Sequence, residues 1–346
     1  MDDAAPRTTA ERGWGKLLLA LAAFLFLPAV PQIRALVPVE DTLLLLLPAL
    51  AACCLVGWWA GGRFMLAVIW LIPAAWVLSQ PAVPGSFYNL VRGWSLLLAG
   101  GFGLVCLFGG QRAFFARALT TVGLGLGLVL LMSVKGPLTP ARMRQAVQAE
   151  FGRRNAETIT LGRQFVTQYP DVKKSIPQVD AYLDELDKQV RLIAETGAGL
   201  YPSLLLLESL VALALAWETY HRLSRTRLGV PLGHLKDFRF NDQLVWGLIA
   251  GLVIVFVPTL AFLGGAGRNL LVFFGALYAI RGFGVLSWFM APGALAVTMF
   301  VGFVMLMWPM LSPVALLGFI LLALAAFGLG LGDTWADWRR RARPTT

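Results

Sequence analysis

The chain has 346 residues, 58% of them hydrophobic and only 14% charged, where an ordinary soluble domain carries about a quarter. Apolar runs of about 18 residues or more recur along most of the length, each long enough to cross a hydrocarbon core of roughly 30 Å. This excludes a soluble globular fold and implies a polytopic membrane protein. The net charge of +10 does not point to nucleic acid, because the basic residues sit mainly in short segments between apolar runs, where they set membrane orientation.

The N-terminal stretch "MDDAAPRTTAERGWGKLLLALAAFLFLPAVPQ" has the basic-then-apolar layout of a signal peptide. No small-x-small cleavage site closes it and further apolar runs follow, so it reads as an uncleaved first span. Ten candidate spans are expected in chain order, at roughly 17–33, 42–60, 64–79, 94–109, 114–134, 201–221, 243–263, 269–290, 293–308 and 312–332. The shorter ones fit tilted partners, half-spans or re-entrant pieces. Residues 293–332 also read as one bent helix interrupted at Trp308-Pro309 and Pro313. Charge decides for an even count. With the N-terminus cytoplasmic, Arg63, Arg112, Arg117, Arg222 and the run Arg339, Arg340, Arg341 share one side, while the short loops opposite hold only Arg34, Arg92 and Arg268. Nearly all tryptophans fall near span ends, with only Trp70 well inside a run.

Cys53, Cys54 and Cys106 lie inside apolar runs and read as small packing residues, with no disulfide framework and no metal spacing. Glycines at 123–128 and 328–332, and Gly247 four residues before Gly251, suit close helix approach.

Residues 135–200 break the apolar pattern. Thr139 reads as an N-cap with Pro140 at the first helical position. After Pro170, Val179, Tyr182, Leu183, Leu186, Val190 and Ile193 share one helical face, and Gly197 reads as the stop. Two amphipathic helices outside the membrane are expected, either resting on the bundle or acting as a lid or binding element. The division is then membrane helices at 1–134, an extracytoplasmic helical insertion at 135–200, and membrane helices with a basic cytoplasmic tail at 201–346. The fold class is an all-α, polytopic transmembrane helix bundle.

Chemistry leaves little trace. The two histidines, His221 and His234, share one loop; no His-Glu-x-x-His occurs, and Ser209 and Ser287 have no histidine or lysine at similar depth. The reading is non-enzymatic, with no catalytic residue, metal or cofactor.

Charged residues within spans carry the functional hypotheses. Glu208 should lie roughly 10 Å below the outer surface and Arg281 roughly 18 Å down, with Glu218 near the inner end of its helix. A mid-membrane charge costs at least about 2.5–3.5 kcal/mol on insertion scales, so Arg281 should face protein or water. It would neutralise Glu208 or Glu218, bind an anionic group entering from outside, or form a buried ion pair or helix-end link. The loop 218–247 carries Arg222, Arg225, Arg227, Lys236 and Arg239. These read as an anchor to anionic lipid or a docking surface for a cytoplasmic partner.

The C-terminal half suggests a family. "YPSLLLLESLVALALAWETYHRL", "FRFNDQLVWGLIAGL", "RNLLVFFGALYAIRGFGVLSWF" and "GLGLGDTWADWRRR" resemble the successive signatures of the YybS-like predicted membrane proteins, a bacterial family of unknown function. The resemblance covers about residues 200–343, and Gly332, Asp333, Trp335, Asp337, Trp338 and Arg339 are its most specific part. The family usually has glutamine where Arg281 stands. Its helical layout is similar to that of the substrate-binding membrane subunits of energy-coupling-factor transporters. The resemblance therefore implies a ligand-holding bundle in the bacterial inner membrane, both termini cytoplasmic, working with a partner that supplies energy. The alternative is a scaffold, or a subunit of a larger membrane complex, recruiting proteins through the outer hairpin or the inner basic loop. The implied partners are membrane lipid, a protein in the membrane or cytoplasm, and a small-molecule ligand of unknown identity.

Overall fold

The computed structural model describes residues 14–26, 39–81, 87–109, 112–135, 139–175, 177–226, 228–291, 293–307 and 312–341. Every regular element among them is helical. In chain order these are α1 (Gly15–Phe26), α2 (Val39–Trp59), α3 (Phe64–Ser79), α4 (Phe87–Phe108), α5 (Phe114–Lys135), α6 (Pro140–Gln168), α7 (Pro170–Ser175), α8 (Val179–Leu223), α9 (Val245–Phe256), α10 (Gly264–Phe289), α11 (Ala294–Met307), α12 (Ser312–Ala336) and α13 (Trp338–Arg341), with short 3₁₀ turns around α9.

Each expected span coincides at least in part with a helical segment, but the count of ten full crossings does not follow. Six segments are long and apolar enough to span: Asp41–Trp59, Phe87–Phe108, Phe114–Ser133, Ala194–Leu223, Pro258–Phe289 and Pro313–Ala336. Four further apolar helices, Gly15–Phe26, Phe64–Ser79, Asp242–Phe256 and Ala294–Met305, are shorter. The remainder of the expected span 17–33 lies outside the described residues, as does the Trp308-Pro309 break.

Helix α8 is the central element, packed against α1, α2, α5, α6 and α10. Its first part pairs with α6 as the expected amphipathic hairpin. Thr139 caps α6, its hydroxyl accepting from the N–H of Arg142 at 3.4 Å, and Val179, Leu183, Leu186 and Val190 are buried as their spacing predicts. Tyr182 is exposed instead.

The expected stop at Gly197 does not occur, because α8 runs unbroken into the apolar span. A glycine stop needs a left-handed residue, and among the described residues the positive-φ glycines are Gly61, Gly229 and Gly293. Two things carry the helix onward. Ala194, Ala198 and Tyr201 pack against Phe87, Val147 and Phe151. Beyond them Pro202, which has no N–H, is flanked by the carboxamide of Asn269. Its Oδ1 accepts from the N–H of Ser203 at 3.0 Å and its Nδ2 donates to the carbonyl of Gly199 at 2.8 Å. A neighbouring helix thus satisfies backbone groups that a proline disturbs. The same device recurs in α2. Pro48 denies the carbonyl of Leu44 its helical donor, and the buried Ser95 hydroxyl of α4 donates to that carbonyl.

A large apolar cluster joins α2, α4, α5, α8 and α10 through Leu50, Leu98, Phe102, Leu213, Trp217 and Leu277. Cys53, Cys54 and Cys106 are buried and free within it, as packing residues should be. Not all tryptophans mark the interface. Trp94 and Trp217 are buried, each donating its indole N–H, to Ser209 Oγ at 2.8 Å and to the carbonyl of Val230 at 3.2 Å.

Helices α10 and α12 meet through glycine. A methyl group on Gly282 would overlap the backbone of Ala326, and one on Gly330 the backbone of Tyr278. Gly247 and Gly251 perform the expected role between α9 and α10, facing Phe274 and Leu271. Gly282→Ala should lower stability by about 1–3 kcal/mol, since backbone cannot yield as a side chain does. Gly275, with open space where a methyl would go, should tolerate alanine with a gain of up to about 1 kcal/mol. Thermal unfolding of both variants in detergent checks this; equal losses would refute the close approach.

Candidate functional site

The charged residues singled out in the spans do not converge. They fall into separate settings at the two ends of α8.

At the end where α8 meets the loop 224–244, Arg281 of α10 is 2% exposed. Its Nε lies 3.0 Å from Oδ2 of Asp333 on α12, its Nη2 donates to the Asp333 carbonyl at 3.2 Å, and its Nη1 reaches Asp242 at 2.6 Å. Arg339 of α13 takes the same Asp333 oxygen at 2.6 Å, and its Nη1 donates to the carbonyls of Lys236 and Phe238 at 2.8 and 3.1 Å. The Gly282–Gly330 approach brings these elements together. Arg281 therefore pairs with neither Glu208 nor Glu218. Glu218 instead bonds Arg222 one turn along α8, at 2.8 Å. Two guanidiniums, Arg281 and Arg339, face two carboxylates, Asp333 and Asp242. The charges balance, which suits a clamp and leaves no cationic excess for an anion.

The clamp also ties the C-terminal segment to the basic loop, so both lie on one side of the bundle. The loop is otherwise fastened by groups with little warning in the sequence. Arg117, fully buried, donates to the carbonyls of Arg112 and Leu228 at 3.1 and 2.9 Å. Tyr220 donates to the carbonyl of Thr226 at 2.8 Å, and the His221 ring nitrogens lie 2.8 and 3.2 Å from the carbonyls of Trp217 and Gly229. Among the expected docking residues, Arg239 bonds Asp337 at 2.5 Å, Arg222 is half-buried on Glu218, and Arg225 and Lys236 are exposed. Arg227 lies outside the described residues.

At the other end, where the hairpin meets the bundle, Glu208 has different company. Asp41 at the start of α2 is 2% exposed, and Tyr201 of α8 is 9% exposed. Arg154 of α6 bonds Glu150 at 2.7 Å, lies 3.8 Å from Asp41, and stacks over Phe87 at 4.8 Å. Glu208 and the Tyr201 hydroxyl lie within electrostatic reach of both Asp41 and Arg154. The Tyr201 hydroxyl and Oε1 of Glu208 are buried without a hydrogen-bond partner. Four residues from three helices thus form a polar junction, of which the sequence reading had singled out Glu208 alone. Asp41 was discoverable as an acidic residue opening an apolar run; Arg154 and Tyr201 were not, because only the folding of the hairpin onto the bundle brings them there.

Among the described residues no group of three or more His, Cys, Asp or Glu side chains could hold a metal ion.

These features define the class: an all-helical integral membrane protein with an amphipathic hairpin and polar groups gathered at both ends of its central helix. A family model described as "Predicted membrane protein (DUF2232)" matches residues 161–320. This is the family that the YybS-like signatures pointed to. The match begins inside the hairpin and stops before Gly332–Arg339, so it does not include the segment that the sequence reading treated as most specific. No curated protein and no solved structure matches the chain.

Removing one side of a buried ion pair leaves an uncompensated charge and costs about 3–5 kcal/mol. Asp333→Ala should lose that much in a denaturation assay. The double variant Arg281→Ala/Asp333→Ala should lose clearly less than the sum of the single losses; additive losses would exclude direct pairing.

In the hairpin, burial alone would raise the Glu150 pKa, but hydrogen bonds and charge from Arg153 and Arg154 outweigh it and hold the carboxyl below its ordinary range. A depressed folded-state pKa stabilises above the unfolded value and is lost as pH falls through the folded value. The protection of α6 amides, measured relative to their intrinsic exchange rates, should therefore fall as pH drops, and Glu150→Gln should reduce that pH dependence.

Proposed function

We propose that the protein is a non-enzymatic, transport-type membrane component that binds a ligand at the hairpin-side junction and works with a separate energy-supplying partner. In this reading the chain sits in the bacterial inner membrane with the hairpin outside and both termini cytoplasmic. One observation carries it. Glu208 lies within the candidate span Ala194–Leu223, has Oε1 buried without a hydrogen bond, and forms no ion pair among the described residues. An ionisable group kept at membrane depth without a structural partner is expensive, and such residues commonly mark ion or substrate paths. The sequence holds no Gly-Lys-Ser/Thr phosphate loop, so energy, if required, would come from a partner.

A second reading, a scaffold or subunit of a larger complex, also has support. The contact between α8 and α10 is filled by Leu206, Leu210, Leu213, Phe273 and Leu277. A wide cleft of about 580 Å³ lies instead on the hairpin, lined by Arg163, Val166, Thr167, Asp180, Leu183 and Asp184. We favour the transport reading because Glu208 has no role in a filled scaffold.

Purification in mild detergent with mass spectrometry of whatever co-purifies separates the two. A small molecule retained at a fixed ratio to the protein is the expected result. A stoichiometric protein partner with no retained small molecule would overturn the transport reading in favour of the scaffold.

A further inference from the structure

The junction around Glu208 has a definable ligand chemistry, and this inference rests on reading Glu208 as the centre of a binding site. Tyr201 and Glu208 are two helical turns apart and so share a face of α8. That face is met by Asp41 from α2 and by Arg154 from α6.

Most of the polar neighbours are already engaged. Arg154, the cation nearest to hand, has its Nε on Glu150 at 2.7 Å, its Nη1 toward Asp41 at 3.8 Å and its plane over Phe87. From α4, the Trp94 indole donates to Ser209 and the Ser95 hydroxyl to the Leu44 carbonyl. From α10, the Asn269 amide donates to the carbonyls of Gly199 and Gly265 and accepts from Ser203. What remains is a carboxylate oxygen and a phenol oxygen, both buried without a hydrogen bond, beside Nη1 of Arg154, which is buried without one as well. The charged groups facing them are Asp41, which adds negative charge, and Arg154, which offsets part of it.

A bare carboxylate is not stable in such surroundings. It takes up a proton, or its oxygens coordinate a cation. Oxygen donors without sulfur or imidazole suit hard metal ions, and with Glu150 paired to Arg153, Glu208 and Asp41 together exceed Arg154 by a single charge. We propose that Glu208 and Tyr201, facing Asp41, hold a single positive charge at the hairpin-side junction, either a proton on the Glu208 carboxyl or a small monovalent metal ion among these oxygens.

The full chain in lipid nanodiscs provides the test, by two readouts that need no transported substrate. In the first, sodium chloride replaces choline chloride at constant ionic strength while thermal unfolding is followed. In the second, infrared difference spectra across pH look for the carbonyl band of a protonated carboxylic acid. A metal ion predicts that sodium raises the unfolding temperature, that Glu208→Gln abolishes the rise, and that Tyr201→Phe raises the sodium concentration needed on the order of tenfold, by removing one oxygen. A proton predicts no sodium response but a protonated-acid band at neutral pH that disappears in Glu208→Gln. Wild-type protein with neither response overturns the proposal, as does a sodium response or acid band that persists in Glu208→Gln. Should that variant fail to fold, the two wild-type readouts and Tyr201→Phe still decide: loss of neither the sodium response nor its midpoint in Tyr201→Phe, with no acid band, overturns it. A positive result here with no small molecule co-purifying would leave the charge site standing and remove only the transport reading.

Discussion

Hydrocarbon has no water with which to satisfy an N–H, a carbonyl or a charge, so each such group in a spanning helix must be met by the protein itself. The devices that hold this bundle together answer that constraint. Pro202 and Pro48 both lie inside apolar helices, where a missing N–H leaves backbone acceptors exposed. Asn269 meets the groups beside the first, and Ser95 meets the carbonyl freed by the second. These two polar side chains do more than pair helices. They let α8 and α2 stay helical through residues that would otherwise end them, and so they allow a single 45-residue element to link the hairpin to the loop at the far end.

The same constraint separates the two polar ends of α8. At the loop end the charges balance: Asp333 is shared by Arg281 and Arg339, Asp242 takes a further guanidinium nitrogen, and backbone carbonyls absorb other donors, although Oδ1 of Asp333 and Nε of Arg339 are buried without a hydrogen bond. Glycine makes this possible, since without the contact of Gly282 with Gly330 the two helices would stand too far apart for the pair to form. At the hairpin end the groups do not all find one another. Arg154 is drawn to Glu150 and an aromatic face, and Oε1 of Glu208 and the Tyr201 hydroxyl are left without hydrogen bonds. A balanced cluster stabilises; an unbalanced one is available for use.

Much of the architecture was legible in the sequence because hydropathy and local capping act through neighbours in the chain. The apolar runs located the helices, Thr139-Pro140 fixed the start of α6, and the spacing of Val179, Leu183, Leu186 and Val190 gave the buried face of the hairpin. Where α8 would end was not legible. Gly197 resembles a stop only if the chain beyond it is disregarded, and the residue that carries the helix past Pro202 stands 66 positions beyond Ser203. Lengths misled in a similar way, since several apolar helices fall short of a full crossing. Depth along separate helices points to Glu208 or Glu218 as the partner of Arg281. That fails because α8 and α10 do not bring them together, whereas the alternative of a buried ion pair linked to a helix-end carbonyl is what forms. Asp333 stands in the family-like closing segment, but only the glycine-mediated approach of α10 and α12 places it against the arginine. Arg117 read as one more topogenic cation, although it is buried and holds a loop in place.

The account rests on α8 being one uninterrupted helix that carries the chain from the hairpin, through the bilayer, to the clamp. Single cysteines at Lys188 and Arg225, both exposed and at opposite ends of this element, test that directly with a membrane-impermeant maleimide. In intact cells the cysteine at 188 should be labelled and the one at 225 should react only after the membrane is opened. Labelling of both positions from the same side would contradict a spanning α8 and, with it, the separation of the balanced and unbalanced ends.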